Sequence, residues 1–288
     1  MNRRQALISL GVLGLAGVAY SHIEDRNMKR LKPRDYRIPA DLHAHIYKNT
    51  LLNDVGETLS QEGLVGLTTY NVKNNLFNFY DLRLIPGFTE TELGVLGKLN
   101  YLGSTGYILN SQEIMTKPHI SALGCKDLIR AKNPFEAVKE IRKQGGLAIL
   151  NHPYVVPSRK MFPPWEAGYR LINKEERQTI EKLAGEVDEV EVFNGQCIAL
   201  VPLLIDKREA NDLAEEYAQT FGFKGIATSD AHWINQILTS GIYIKNEELS
   251  FKKIKEAIMG RDYYIEGNEV SRLSFLKGHF PSLPIPTH

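Results

Sequence analysis

Eight short apolar runs recur along the chain, at residues 38–46, 64–70, 82–86, 119–125, 147–152, 189–193, 225–229 and 241–244, with amphipathic stretches between them. Strands that alternate with helices need crossover connections, and crossovers build a largely parallel sheet whose faces the helices cover. The number of runs suits an α/β fold with the sheet closed, or nearly closed, into a barrel. Helix signals fall where crossovers are needed. Asp54 is expected to cap a helix over 54–62, and Asn133 before Pro134 opens one to Lys143, which Gly145-Gly146 ends. Further helices are expected over 174–184, 203–221 and 251–259, the last capped by Ser250. Two stretches, 94–116 and 155–169, break the alternation; the second carries Phe162-Pro163-Pro164-Trp165. Both are expected as loops on the rim of a site, because long loops in compact α/β domains are usually functional.

Charge narrows the classes of partner. Lys plus Arg number 35 against 34 Asp plus Glu, so no long-range positive field exists to gather nucleic acid. The first residues differ from the rest. Arg3 and Arg4 precede an uncharged apolar stretch over 6–20 that is short for a membrane span but suits an export signal, with Gly17-Val18-Ala19 as a small-residue cleavage site. The expected organisation is a signal peptide or N-terminal membrane anchor at 1–21, a linker at 22–37 and one folded domain over 38–288. The arginine pair resembles a twin-arginine signal, so the protein is expected to be exported, or tethered to a membrane facing outside the cytoplasm. Cys125 and Cys197 read as core residues.

Five of the eight histidines, His43, His45, His119, His152 and His232, stand at or beside the ends of the expected strands. In a parallel barrel those ends converge on one mouth, so residues distant in sequence can ligate the same ion. His43-Ala44-His45 has the i, i+2 spacing that places two imidazoles on one face of a strand, and Asp230-Ala231-His232 repeats it with a harder oxygen ligand. Each piece alone has a plainer explanation: a packed histidine before Pro153, or Asp230 as a helix cap. Taken together they point to metal, because buried imidazoles need hydrogen bonds or a cation.

These residues also resemble a known family. Asp41-Leu42-His43-Ala44-His45, Gly63-Leu64-Val65-Gly66-Leu67, Pro86-Gly87, His119-Ile120-Ser121-Ala122-Leu123-Gly124, Asn151-His152-Pro153 and Ser229-Asp230-Ala231-His232 are similar in order and spacing to the motifs of the polymerase and histidinol phosphatase (PHP) family. The resemblance runs from Asp41 to Tyr264. It implies a distorted (βα)7 TIM-like barrel, two or three divalent ions, and hydrolysis of a phosphoester by metal-activated hydroxide. By the resemblance, His43 and His45 form the first metal motif, His119 the middle one, His152 the His-Pro motif, and Asp230 with His232 the last. The family's bridging glutamate falls two residues after Gly87, where this chain has Thr89; Glu90 is the preferred substitute and Glu92 the second choice. The second motif departs further, reading Thr68-Thr69-Tyr70-Asn71 where the family has Thr-Asp-His-Asn. The implied centre therefore holds two ions, Zn, Mn or Fe, with the third site lost: His43, His45, Glu90 and Asp230 around one, and Glu90, His119 and His152 around the other.

The expected activity is hydrolysis of a small-molecule or phosphorylated substrate, a phosphomonoester or phosphodiester, with Asp230 and His232 as catalytic groups and metal-bound water or His232 supplying a proton to the leaving alkoxide. Tyr70 either hydrogen-bonds substrate or fills the space of the lost ion. Lys48, Arg159 and Arg170 are basic residues within reach of a substrate phosphate, or simply solvated. Two other readings use the same residues: a metal-dependent amidohydrolase-type enzyme, and a noncatalytic metal-binding homologue.

Overall fold

A computed structural model describes residues 27–29, 35–61, 63–72, 74–158, 168–197, 199–200, 205–245 and 248–270. The expected leader at 1–21 lies outside these residues, as do Arg159 and the aromatic-proline run at 162–165. Among the described residues no helix is long and apolar enough to cross a membrane.

The chain begins with β1 (Asn27–Lys29), β2 (Tyr36–Ala44), α1 (Leu52–Leu59) and β3 (Leu64–Tyr70). A 3-10 turn over Phe79–Leu84 leads into β4 (Phe88–Glu92), β5 (Leu96–Tyr101), β6 (Ser104–Ile114) and β7 (Ile120–Leu123). Next come α2 (Pro134–Lys143), β8 (Leu147–Leu150), the hairpin of β9 (Val155–Ser158) and β10 (Gly168–Leu171), and α3 (Lys174–Leu183). The order ends with β11 (Glu189–Asn194), β12 (Ala199–Leu200), β13 (Ile205–Asp206), α4 (Arg208–Phe221), β14 (Ile226–Thr228), β15 (Gly241–Lys245), α5 (Phe251–Met259) and β16 (Tyr264–Asn268).

The main sheet runs β1-β16-β15-β2-β3-β6-β7-β8-β11-β14, with β4 and β5 attached beside β6. It bends round until its far end meets β2: Ala44 bridges Ala231 in parallel, and the His45 N–H donates to the Ala231 carbonyl at 2.7 Å. The fold is a distorted, nearly closed α/β barrel, as expected. Inside it, Leu42, Leu64, Leu109, Leu147, Ile149 and Ile242 form one apolar cluster. Each such fully buried side chain contributes roughly 1.5–3 kcal/mol. A second cluster, including Val138, Ile141, Ile180, Leu183 and Tyr217, seals α2, α3 and α4 against β7, β8 and β11.

Helix caps follow local chemistry. Asn133 accepts from the Glu136 N–H ahead of Pro134, Asn173 and Glu176 form a reciprocal capping box, and Ser250 accepts from the Lys253 N–H. α1 differs: it begins at Leu52 with no side-chain cap, and Asp54 sits inside its first turn.

Two expectations fail for physical reasons. The apolar run at 82–86 is a 3-10 turn followed by bend, because Asn78 and Asp81 cap each other's backbone and start a turn instead of a strand. The stretch 94–116 is no rim loop but contains β5 and β6, which pair with each other and insert β6 into the wall between β3 and β7. Its Asn110-Ser111-Gln112-Glu113 run looks solvent-facing in sequence, yet all four are buried.

Candidate metal centre

Strand direction decides what reaches the mouth. β2, β3 and β6 run parallel, as do β8, β11 and β14, so their C-terminal ends share one end of the barrel. β7 is antiparallel to both its neighbours, so its start, not its end, lies there. His119 immediately precedes that start and therefore reaches the same mouth as His152, which follows β8.

Local backbone devices aim the ligands. The β2–β3 register shifts between Asp41 and Ala44, a bulge that redirects His43. Gly66 of β3 permits this approach, since a Cβ there would stand 2.3 Å from the Leu42 carbonyl oxygen. His152 and Asp230 adopt left-handed backbone, φ 22° and 49°, which turns both side chains back over the mouth. Such conformations are costly for residues other than glycine and gather at functional sites.

Two clusters result. His43, His45 and Asp230 offer ligand atoms all within 4.8 Å of one another, and so do Glu113, His119 and His152. The clusters adjoin. One Glu113 oxygen lies 3.6 Å from His43 Nε2 and 3.4 Å from His45 Nε2, and the other lies 2.6 Å from His119 Nδ1 and 3.1 Å from His152 Nε2. Asp230 Oδ1 stands 3.5 and 3.6 Å from the same two Nε2 atoms. His232 closes the mouth, its ring 5.0 Å from that of His45 and its Nδ1 2.8 Å from the Asp230 carbonyl.

The donor inventory tests whether a cation fits. A carbonyl oxygen only accepts, so His45 Nδ1, 3.0 Å from the Thr68 oxygen, must carry the proton, and the Nε2 of the neutral ring presents a lone pair. His43 Nδ1 faces the Glu191 carboxylate at 3.4 Å, which leaves its Nε2 in the same state. The two Nε2 atoms are 3.1 Å apart and are flanked by Glu113 and Asp230 oxygens. Four acceptors thus converge with no donor among them. Only protons or a cation can satisfy that arrangement in a buried space, and mixed imidazole and carboxylate ligands suit a divalent transition ion.

Charge preferences agree. Burial opposes the charge on Glu113, but His119 and His43 overcome it and hold the carboxyl well below the usual range. Burial likewise opposes protonation of His152, yet its hydrogen bond with Glu113, helped by charge from Glu191 and Asp230, lifts it to about 9. Asp230 and Glu113 draw His43 well above its ordinary value against the same burial. With no ion present, these carboxylates recruit protons onto imidazoles; a cation would replace those protons.

Behind the ligands lies a supporting layer. Glu191 accepts from the His152 N–H at 2.6 Å and from Asn194 Nδ2 at 3.0 Å, and faces His43. Asn194 also donates to Asp230 at 3.1 Å. Asp41 accepts from the Ser229 and Leu238 N–H groups at 3.1 and 3.0 Å, tying the β2 motif to the last one; burial pushes its carboxyl up to about 6.

His43, His45, His119, His152, Asp230 and His232 all gather at the mouth. Glu90 does not. It sits on β4, held by the Arg83 guanidinium at 2.5 Å and the Gly94 N–H at 2.8 Å, while Glu92 accepts from the Phe251 N–H at 2.6 Å. Glu113 of β6 stands between the two clusters instead, because the pairing of β6 between β3 and β7 carries that residue to the mouth. Glu191 was also missed, although a carboxylate between two valines in an apolar strand is a sequence sign of a buried charge. Tyr70 stands beside the centre, its ring 4.8 Å from that of His45. Lys48 pairs with Asp81 at 2.9 Å.

Fold and site together define a metal-binding α/β barrel. Residues 208–257, from α4 through Ser229-Asp230-Ala231-His232 into α5, match a family described as PHP-associated. The motif order resembles that of the polymerase and histidinol phosphatase family, and the matched segment is the one that carries the last motif. An uncharacterised protein of Methanocaldococcus jannaschii is 33% identical over 119 residues, a match spanning 41% of this chain and 42% of that one, less than half of either. The structure of PsfC from Pseudomonas syringae shares the fold at 13% identity, covering 83% of this chain and 93% of that one with a TM-score of 0.50. A two-domain protein of Bacteroides vulgatus, described as containing a predicted PHP-like metal-dependent phosphoesterase, aligns over 91% of this chain and 74% of its own at 16% identity and a TM-score of 0.49.

Proposed function

We propose that the protein is a metal-dependent phosphoesterase that cleaves a phosphomonoester or phosphodiester, using two divalent ions, Zn, Mn or Fe, at the barrel mouth. The supporting observation is the convergence of the His43 and His45 Nε2 atoms with Glu113 and Asp230 oxygens. His43, His45 and Asp230 would hold one ion and His119 with His152 the other, with Glu113 between them. Bound there, the ions would act as Lewis acids on the phosphoryl oxygens and on the attacking water.

The protein's own groups would supply the rest. Glu191 and Asn194 keep His43, His152 and Asp230 in place, as outer partners of metal ligands do. His232 Nδ1 donates to the Asp230 carbonyl, so Nε2 is the nitrogen that would take up a proton, and the protonated ring would pass it from there to the leaving alkoxide. On the same reading residues 1–21 direct the protein out of the cytoplasm, which fractionation of cells producing the full chain would check.

Elemental analysis of gently purified protein, with a panel of aryl phosphates, phosphodiesters and amides assayed with Mn²⁺ or Zn²⁺, tests the assignment. The expected result is retained divalent metal and turnover confined to phosphoesters. Protein that retains none, and whose melting temperature Mn²⁺ and Zn²⁺ fail to raise, would overturn it.

A further inference from the structure

Beside the metal centre, outside the residues assigned to ligands, lies a cleft of about 730 Å³. Tyr70 is the shared wall: it lines the cleft, and its ring packs 4.8 Å from that of the ligand His45. The segment after β3 forms one side, through Asn71, Val72 and Asn74, and the segment after β7 forms the other, through Lys126, Leu128 and Arg130. Among the described lining residues three are basic and none is acidic.

The bases are not equivalent. Lys48 is engaged by Asp81. Lys126 and Arg130 are exposed and have no ion-pair partner among the described residues. A solvated loop would normally leave such side chains without fixed direction, but this loop is clamped. Gln112 donates to the Asp127 carbonyl at 3.0 Å and accepts from the Ile129 N–H at 2.9 Å. Gln144 accepts from the Asp127 N–H at 2.9 Å, and the Tyr80 hydroxyl donates to the Lys126 carbonyl at 2.9 Å. The backbone carrying both cations is therefore held from three sides. Cations mounted on a fixed backbone, opposite neutral amides and aromatic walls, suit a ligand with an uncharged body and a remote anion.

We infer that this cleft receives the leaving-group portion of the substrate, and that Lys126 and Arg130 select substrates carrying a second anionic group, carboxylate or phosphate, remote from the bond cleaved. The inference rests on the phosphoesterase reading, since it takes the metal centre as the anchor for the first phosphoryl group.

A binding measurement separates the two. Full-length Mn²⁺-loaded protein is titrated calorimetrically with non-hydrolysable biphenyl phosphonates whose far ring carries hydrogen, a carboxylate or a second phosphonate. The anionic probes should bind about tenfold more tightly than the hydrogen-bearing one, the scale of one charge-assisted contact. Whether carboxylate or phosphonate gains more identifies the preferred anion. Combining Lys126→Gln with Arg130→Gln should bring the affinity ratio close to one, whereas Lys139→Gln, an exposed charge on α2, should leave the ratio as it was. Equal affinities for the three probes, or a preference that survives the double variant, overturns the inference. A preference without turnover of any phosphoester would overturn the hydrolase reading, and with it the leaving-group role, while keeping the anion selectivity of Lys126 and Arg130; failure of all three probes to bind would overturn both.

Discussion

The β4–β5 hairpin and the mouth end of β6 each present a glutamate, and their fates differ. Glu90 on the hairpin meets donors: the Arg83 guanidinium and the Gly94 N–H satisfy it within the protein. Glu113 on β6 meets four imidazole nitrogens, from His43, His45, His119 and His152, in a buried space. A carboxylate ringed by donors is a structural group. A carboxylate among imidazoles depends on protons that those rings take up, or on a cation in their place.

The sharpest way to break that contrast is Glu113→Gln. It should lower metal affinity by more than about 100-fold, beyond the 10–100-fold typical of an outer-layer partner, and abolish phosphoester hydrolysis. Metal titration and steady-state assay check this; retention of both ions at wild-type affinity would return the bridging role to another residue. Next in size is Glu191→Gln, which keeps every direct ligand but weakens the support of His43 and the His152 backbone. A loss of about 10–100-fold in metal affinity is expected.

A third effect is one of pH. In metal-stripped protein the His152 pKa stands at about 9 against an ordinary 6.5. A folded-state pKa raised in this way contributes stability that is fully present below about 6.5 and is lost as pH rises through about 9. The melting temperature of chelator-treated protein should therefore fall over that window. Metal affinity should rise over it, because ligation needs the deprotonated ring. Calorimetry with and without Mn²⁺ reads both slopes, and two flat profiles would remove the linkage. Smallest of all, Glu90→Gln should cost only about 0.5 kcal/mol in stability, since Arg83 is largely exposed, and should leave metal content unchanged.

Much of the site was legible before the fold was known. His43-Ala44-His45 and Asp230-Ala231-His232 show their geometry in their spacing, because alternate residues of an extended chain share a face. His152 and His119 were legible by position, as histidines bordering apolar runs. The caps at Asn133 and Ser250 were equally plain, because a cap is satisfied within three residues of itself. The acidic ligand was not. Counting from Gly87 led to Glu90, whereas Glu113 lay in a stretch taken for a loop, its strand disguised by four consecutive polar residues that are all buried.

The amino-acid order by itself determined the α/β alternation, the helix starts and the histidine pairs, since each depends on interactions a few residues long. Only the tertiary structure decided which carboxylate joins those histidines, that β7 runs against its neighbours, and that Arg130 and Lys126 border the same cleft as Tyr70. Those outcomes follow from sheet register and strand direction, which are settled by packing between segments far apart in the chain.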